Sequence, residues 1–107
     1  MKKFVFEYYS DMTMAEREER GMDAGVKEQW NTWFGSIGTK MVDGGNPFAP
    51  NGMSVEKSGV SKIEKWPSTG YSIVNAADMD EATELAKGCP VLDAKGGLVR
   101  VYEALPM

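Results

Sequence analysis

The sequence predicts an α+β fold, an antiparallel sheet with helices packed on one face, and three observations carry that expectation. Aromatic or β-branched runs stand near both ends and in the middle of the chain. Two segments open with capping signals and carry apolar stripes at helical spacing. Glycine, proline and asparagine gather between these runs, where turns belong. With 107 residues, 42% of them hydrophobic and 26% charged, the chain has the size of one domain, residues 1–107.

Residues 3–9 are aromatic and β-branched and are closed by Ser10-Asp11, which predicts a first strand with Phe4, Phe6 and Tyr8 on one face and Val5, Glu7 and Tyr9 on the other. Thr13-Met14-Ala15-Glu16 fits a capping box and opens a helix. Its first turns are nearly all charge, and Gly21 and Gly25 each cost about 1 kcal/mol against alanine, so a break is expected between them. Beyond it Val26, Trp30, Trp33, Phe34 and Ile37 form one apolar stripe on a helix ending near Gly38.

Residues 43–52, rich in Gly, Pro and Asn, read as a loop, with the apolar pair Met41-Val42 leading in. Residues 53–57 and 60–65 alternate around Ser58-Gly59 as a hairpin that Pro67 ends. Residues 70–75 read as a buried strand. Asp78-Met79-Asp80-Glu81 is a second capping box, and Gly88 with Pro90 is expected to stop the helix it opens. A turn at Lys95-Gly96-Gly97 leads into a last alternating strand over residues 98–105.

The order β-α-β-β-β-α-β resembles a ferredoxin-like plait, with two helices on one face of an antiparallel sheet. On the last strand Leu98, Arg100, Tyr102 and Ala104 alternate with Val99, Val101 and Glu103, so both faces carry apolar side chains. A second copy of the chain is the expected cover for the open face, giving a twofold homodimer.

Charge and composition remove whole classes of function. Twelve Lys plus Arg against sixteen Asp plus Glu give a net charge of −4, with no basic run to neutralise phosphates, so neither nucleic acid nor an anionic membrane is an expected partner. The count of zero histidines removes a Ser-His-Asp triad, a Cys-His pair and a His-ligated zinc, and neither a metal nor a cofactor is expected. A single cysteine, Cys89, allows no intrachain disulfide, and no signal peptide or membrane span is legible, so a cytoplasmic location is the expectation. Cys89 stands past a helix C-terminus, where the dipole raises a thiol pKa, and reads as an inert buried thiol.

One constellation carries chemistry. Glu7, Tyr9, Arg100 and Tyr102 converge on the open sheet face, where Arg100 can grip a carboxylate and the phenols can stack or donate. The competing reading is a Glu7–Arg100 ion pair that only satisfies charge. Asp43 and Asn46, in the Asp43-Gly44-Gly45-Asn46-Pro47-Phe48 loop, are candidates for a pocket rim, against a tight connection that needs positive φ. Trp30 and Trp33 read as core, with a tryptophan at the stripe's edge able to wall a ligand site.

Across Gly70-Tyr71-Ser72-Ile73-Val74-Asn75-Ala76, Asp80-Glu81-Ala82, Leu85-Ala86-Lys87-Gly88-Cys89-Pro90 and Val101-Tyr102-Glu103 the chain resembles the YCII-related family, as do Gly44-Gly45-Asn46-Pro47-Phe48 and the Trp30-x-x-Trp33-Phe34 helix. The resemblance implies a dimeric α/β barrel of ferredoxin-like subunits and, for some members, a His-Asp active site. This chain has no histidine, and Trp66-Pro67-Ser68 stands where one branch of the family has Asp-Gly-Pro-Phe, so that mechanism is not carried over. Two functions remain open: a binder of a small anionic or aromatic molecule in a cleft at the dimer-facing sheet, with lyase- or isomerase-like chemistry falling to a carboxylate or a tyrosine, and a non-catalytic dimeric module that serves as a structural or partner-binding unit.

Overall fold

The computed structural model describes all 107 residues. The elements run β1 (Lys2–Tyr9), α1 (Met14–Met22), α2 (Ala24–Ile37), β2 (Met41–Asp43), β3 (Met53–Glu56), β4 (Gly59–Lys62), β5 (Ser68–Ala76), α3 (Met79–Ala86) and β6 (Leu98–Ala104), with short 3₁₀ turns at Gly38–Lys40 and Pro90–Asp93. Four strands form one antiparallel sheet in the order β2-β5-β1-β6, consistent with a ferredoxin-like α+β arrangement.

The period-2 alternation of β1 places Phe4, Phe6 and Tyr8 against the helices, and the two phenylalanines are wholly buried. Val74 and Ala76 of β5, Trp33 and Ile37 of α2, and Ala82 and Ala86 of α3 complete one core on that side. Phe6 stacks on Trp33 with ring centroids 6.1 Å apart, and the Trp33 indole N–H donates to the Leu85 carbonyl at 2.9 Å. The opposite sheet face carries no helix.

Helix boundaries follow side-chain chemistry. Glu16 N–H donates to Thr13 Oγ1 and Thr13 N–H to Glu16 Oε1, closing the expected capping box, and the Thr13 backbone N–H holds the Glu16 carboxyl below its usual pKa. The expected break falls at Asp23, which ends α1 and caps α2 by accepting from Gly25 and Val26 N–H. The box at Asp78 is half formed: Asp78 accepts from Glu81 N–H, but Glu81 reaches back to Ala77 N–H instead of its cap.

Three expectations are corrected. Met41-Val42 is not merely a lead-in, because β2 pairs with β5 and forms the sheet edge. The expected β3–β4 hairpin forms, but as a separate two-stranded ribbon outside the sheet, so the sheet takes its fourth strand from β2. Gly88 does not cap α3 through a left-handed turn; the cap is Lys87 in right-handed helical conformation. Gly88 serves packing, since a Cβ there would stand 2.9 Å from Trp33 Cδ1.

These placements set unequal mutational costs. Phe6→Ala removes a wholly buried ring and is expected to lower unfolding free energy by about 3–5 kcal/mol. Val55→Ala, on the ribbon where Val55 is 77% exposed, should change it by less than about 0.5 kcal/mol. Urea denaturation followed by tryptophan fluorescence checks both values, and equal costs would refute this placement of the core.

Candidate functional site

Where α1 crosses the end of the sheet, its burial of apolar surface stops. No residue of α1 is buried, and a cavity of about 520 Å³ opens between α1, α2, the strand ends of β1 and β5, and the loop after β2. Its apolar walls include Tyr8, Val26, Trp30, Phe34 and Val91. The ring of Trp30 meets that of Tyr8 edge-on at 5.2 Å, so the wall is preformed aromatic surface rather than loose loop.

The loop at residues 43–48 is held against β5 by backbone fit and a buried hydrogen-bond chain. Gly45 has φ +75°, and a Cβ there would lie 1.6 Å from the Tyr71 carbonyl oxygen, so only glycine allows this approach. The Tyr8 hydroxyl donates to Ser72 Oγ at 2.7 Å, and Ser72 Oγ donates to the Gly44 carbonyl at 2.7 Å. Asp43 turns its carboxylate inward along the loop, accepting from Gly45 N–H at 2.8 Å. Gly44, Gly45 and Asn46 thereby reach the cavity.

The electrostatics of the cavity differ from those of the chain. Arg17, Arg20 and Lys27 line it, and no Asp or Glu does, although the chain as a whole carries a net charge of −4. None of the three cations has a carboxylate within ion-pair distance. Backbone carbonyls orient both guanidiniums instead: Arg17 Nη2 donates to Phe48 O at 2.8 Å and Thr69 O at 3.4 Å, and Arg20 Nη2 to Pro90 O at 3.0 Å. Ser10 also lines the cavity, and its buried Oγ has no hydrogen-bond partner.

Of the residues singled out from sequence, Asn46 lines this cavity and Asp43 shapes the loop beside it, while Glu7, Tyr9, Arg100 and Tyr102 lie on the open face. Glu7 and Arg100 are directly opposed across β1 and β6, yet form no ion pair. Tyr9 stands between their charges: its hydroxyl donates to Glu7 Oε2 at 2.8 Å, and the Arg100 guanidinium carbon sits 4.7 Å from the centre of its ring. Burial, then the Glu7 hydrogen bond, raises the Tyr9 pKa. Tyr102 is 54% exposed.

In sequence, Arg17 and Arg20 belong to a frail, nearly all-charged first helical segment and carry no functional signal by residue type alone. Arg17, Arg20 and Gly21 stand at i, i+3 and i+4, which puts them on one face of α1; that spacing was the available signal. Ser10 reads as a strand terminator, and Trp30 and Trp33 both read as core, with a tryptophan at the stripe's edge able to wall a site; Trp30 lines the cavity. No group of three or more Cys, Asp or Glu side chains is placed to hold a metal ion, and no helix is long and apolar enough to cross a membrane. No protein-family model matches the chain, and no curated protein does.

Two buried protons, on Cys89 and Tyr8, make stability depend on pH in the alkaline range. Burial pushes the Cys89 thiol from 9.0 up to about 12, and burial likewise raises the Tyr8 hydroxyl above its usual 10.0. Burial, rather than the helix dipole, is the main cause at Cys89. Each proton is kept in the folded state at pH values where the unfolded chain releases it. Their contribution is therefore complete below pH 9 and is lost as pH rises through the folded values, at up to about 1.4 kcal/mol per pH unit for each proton. Chemical denaturation from pH 8 to 11 is expected to show this fall, and Cys89→Ala should flatten the part that begins near pH 9. An unchanged slope in that variant would remove Cys89 from the account.

Proposed function

We propose that this chain is a binding protein for a small anion with an apolar or aromatic body, held in the cavity beneath α1 and α2. The observation that carries the reading is a preformed, largely apolar cavity whose charged lining is Arg17, Arg20 and Lys27 without an acid. Arginine presents N–H groups in a fork that matches carboxylate and phosphate oxygens, and Trp30 and Phe34 offer faces for a flat body. Binding fits the lining better than lyase or isomerase chemistry. Proton abstraction needs a base, and the cavity offers neither histidine nor carboxylate, while burial keeps the Tyr8 hydroxyl protonated.

The proposal extends to assembly. The open sheet face presents Val5, Ile73, Leu98 and Tyr102 without a covering helix, which supports a second copy packing there in a ferredoxin-like homodimer, as the YCII-related resemblance implies. The Tyr9–Glu7–Arg100 cluster then becomes part of the subunit contact.

Titrating benzoate and phenyl phosphate against tryptophan fluorescence, with thermal unfolding alongside, tests the binding site. Saturable quenching is expected, with about 2.7 kcal/mol of added stability at a hundred times Kd. Trp30→Ala should weaken binding at least about fivefold, given the ~1–3 kcal/mol of an aromatic stacking contact, whereas Arg100→Ala should leave it unchanged. Loss of binding in Arg100→Ala with retention in Trp30→Ala would move the site to the open face and overturn the reading.

A further inference from the structure

We infer that the ligand's anionic end carries two negative charges, as a phosphate monoester or a vicinal dicarboxylate does, rather than one. The inference rests on the cavity being the binding site and concerns what Arg17 and Arg20 select there.

Arg17 and Arg20 are three residues apart on α1 and both line the cavity, an arrangement in which like charges repel. A structural role would call for a neighbouring acid to relieve that repulsion. Glu16, Glu18 and Glu19 are on the same helix, yet none is paired with either arginine. What the structure supplies instead is orientation without neutralisation. Each guanidinium has its Nη2 fixed by neutral backbone carbonyls, and Arg17 Nη1 meets only the Met14 sulfur at 4.0 Å. Both arginines keep N–H groups free to donate. Neutral acceptors set the forks in place and leave both charges for the ligand.

A single negative charge would compensate one arginine and leave the other uncompensated beside an apolar wall. Two charges at one end of the ligand compensate both. The Ser10 hydroxyl, buried in the same lining without a partner, adds an unused polar group of the kind that an oxygen-rich head employs. The apolar walls formed by Tyr8, Trp30 and Phe34 require that this head be attached to a hydrophobic body.

The absence of histidine makes the inference testable by pH. The groups on the cavity wall that carry or exchange protons are Arg17 and Arg20 on α1, Lys27 on α2, Tyr8 on β1 and Tyr71 on β5; no carboxylate and no imidazole is among them. A change of affinity between pH 5.0 and 7.5 therefore reports the ligand's own ionisation. A phosphate monoester gains its second charge near pH 6, whereas a benzoate is already singly charged across that range.

The experiment measures Kd for phenyl phosphate, phthalate and benzoate on the full chain at pH 5.0 and 7.5 by isothermal titration calorimetry. At pH 7.5 phenyl phosphate and phthalate are expected to bind at least about tenfold more tightly than benzoate, as the ~1.5–3 kcal/mol of one further charged hydrogen bond requires. Phenyl phosphate should lose about five- to tenfold at pH 5.0, where roughly a tenth of it remains doubly charged, while benzoate changes little. Arg20→Gln and Arg17→Gln, each confirmed folded by circular dichroism, should bring phenyl phosphate and benzoate to within about threefold of one another. Preference for phenyl phosphate over phthalate would support the inference and assign the tetrahedral head. Equal wild-type affinity for benzoate and phenyl phosphate at pH 7.5, or a phenyl phosphate affinity unchanged at pH 5.0, would overturn it while leaving the binding site intact. Failure of all three probes to bind would overturn the inference together with the reading it rests on.

Discussion

The seating of the α2 tryptophans on the aromatic row of β1 is the contact on which the rest of the molecule depends. Phe6 and Tyr8 supply the sheet side, Trp33 and Trp30 the helix side, and the rings pack within about 6 Å of each other in stacked and edge-on geometries. Trp33 is further fixed by its hydrogen bond to the end of α3 and by the bare backbone of Gly88. One side chain thus joins the central strand, the long helix and the C-terminal helix. The cavity borders the same contact: α2 is drawn onto β1, the helical chain breaks at Asp23, and the space between α1 and α2 is walled by Tyr8 and Trp30.

Local chemistry made most of the fold legible. The β1 alternation, the Thr13 box, the glycine-bounded break and the α2 stripe all state in sequence what the structure shows, because each depends on neighbours within a few residues. The misreadings share a cause. β2 is three residues long and earns its place only by pairing with β5, a long-range condition that a local pattern does not reveal. The hairpin alternates as well as any sheet strand does, yet its pairing is satisfied within itself. Gly88 sits where a cap glycine belongs, but the constraint on it comes from an indole more than fifty residues earlier in the chain.

The site was less legible for a related reason. Net charge is a sum over the chain, whereas a ligand meets a local field, and an acidic protein can still set its cations around one opening. In sequence, Arg100 stands out because strand register places a carboxylate and two tyrosines near it. The structure shows those groups satisfying one another, with Tyr9 bridging Glu7 and Arg100. Arg17 and Arg20 lie instead in a run that reads as plain solvated helix, and only the tertiary ties to Phe48, Thr69 and Pro90 distinguish them from it.

Tyr8 and Tyr9 show how one strand divides these roles. Adjacent residues of a β-strand face opposite ways, so Tyr8 enters the cavity wall while Tyr9 joins the open face, with a register irregularity between them on the β5 side. Both hydroxyls act as donors, Tyr8 to Ser72 and Tyr9 to Glu7, and burial is the leading cause that raises both pKa values. A phenol held in its protonated form is a fixed donor and an aromatic wall, not a base. The same burial that builds the cavity therefore argues against proton transfer within it, which is why a preformed, cation-lined space in this fold is better suited to holding an anion than to transforming one.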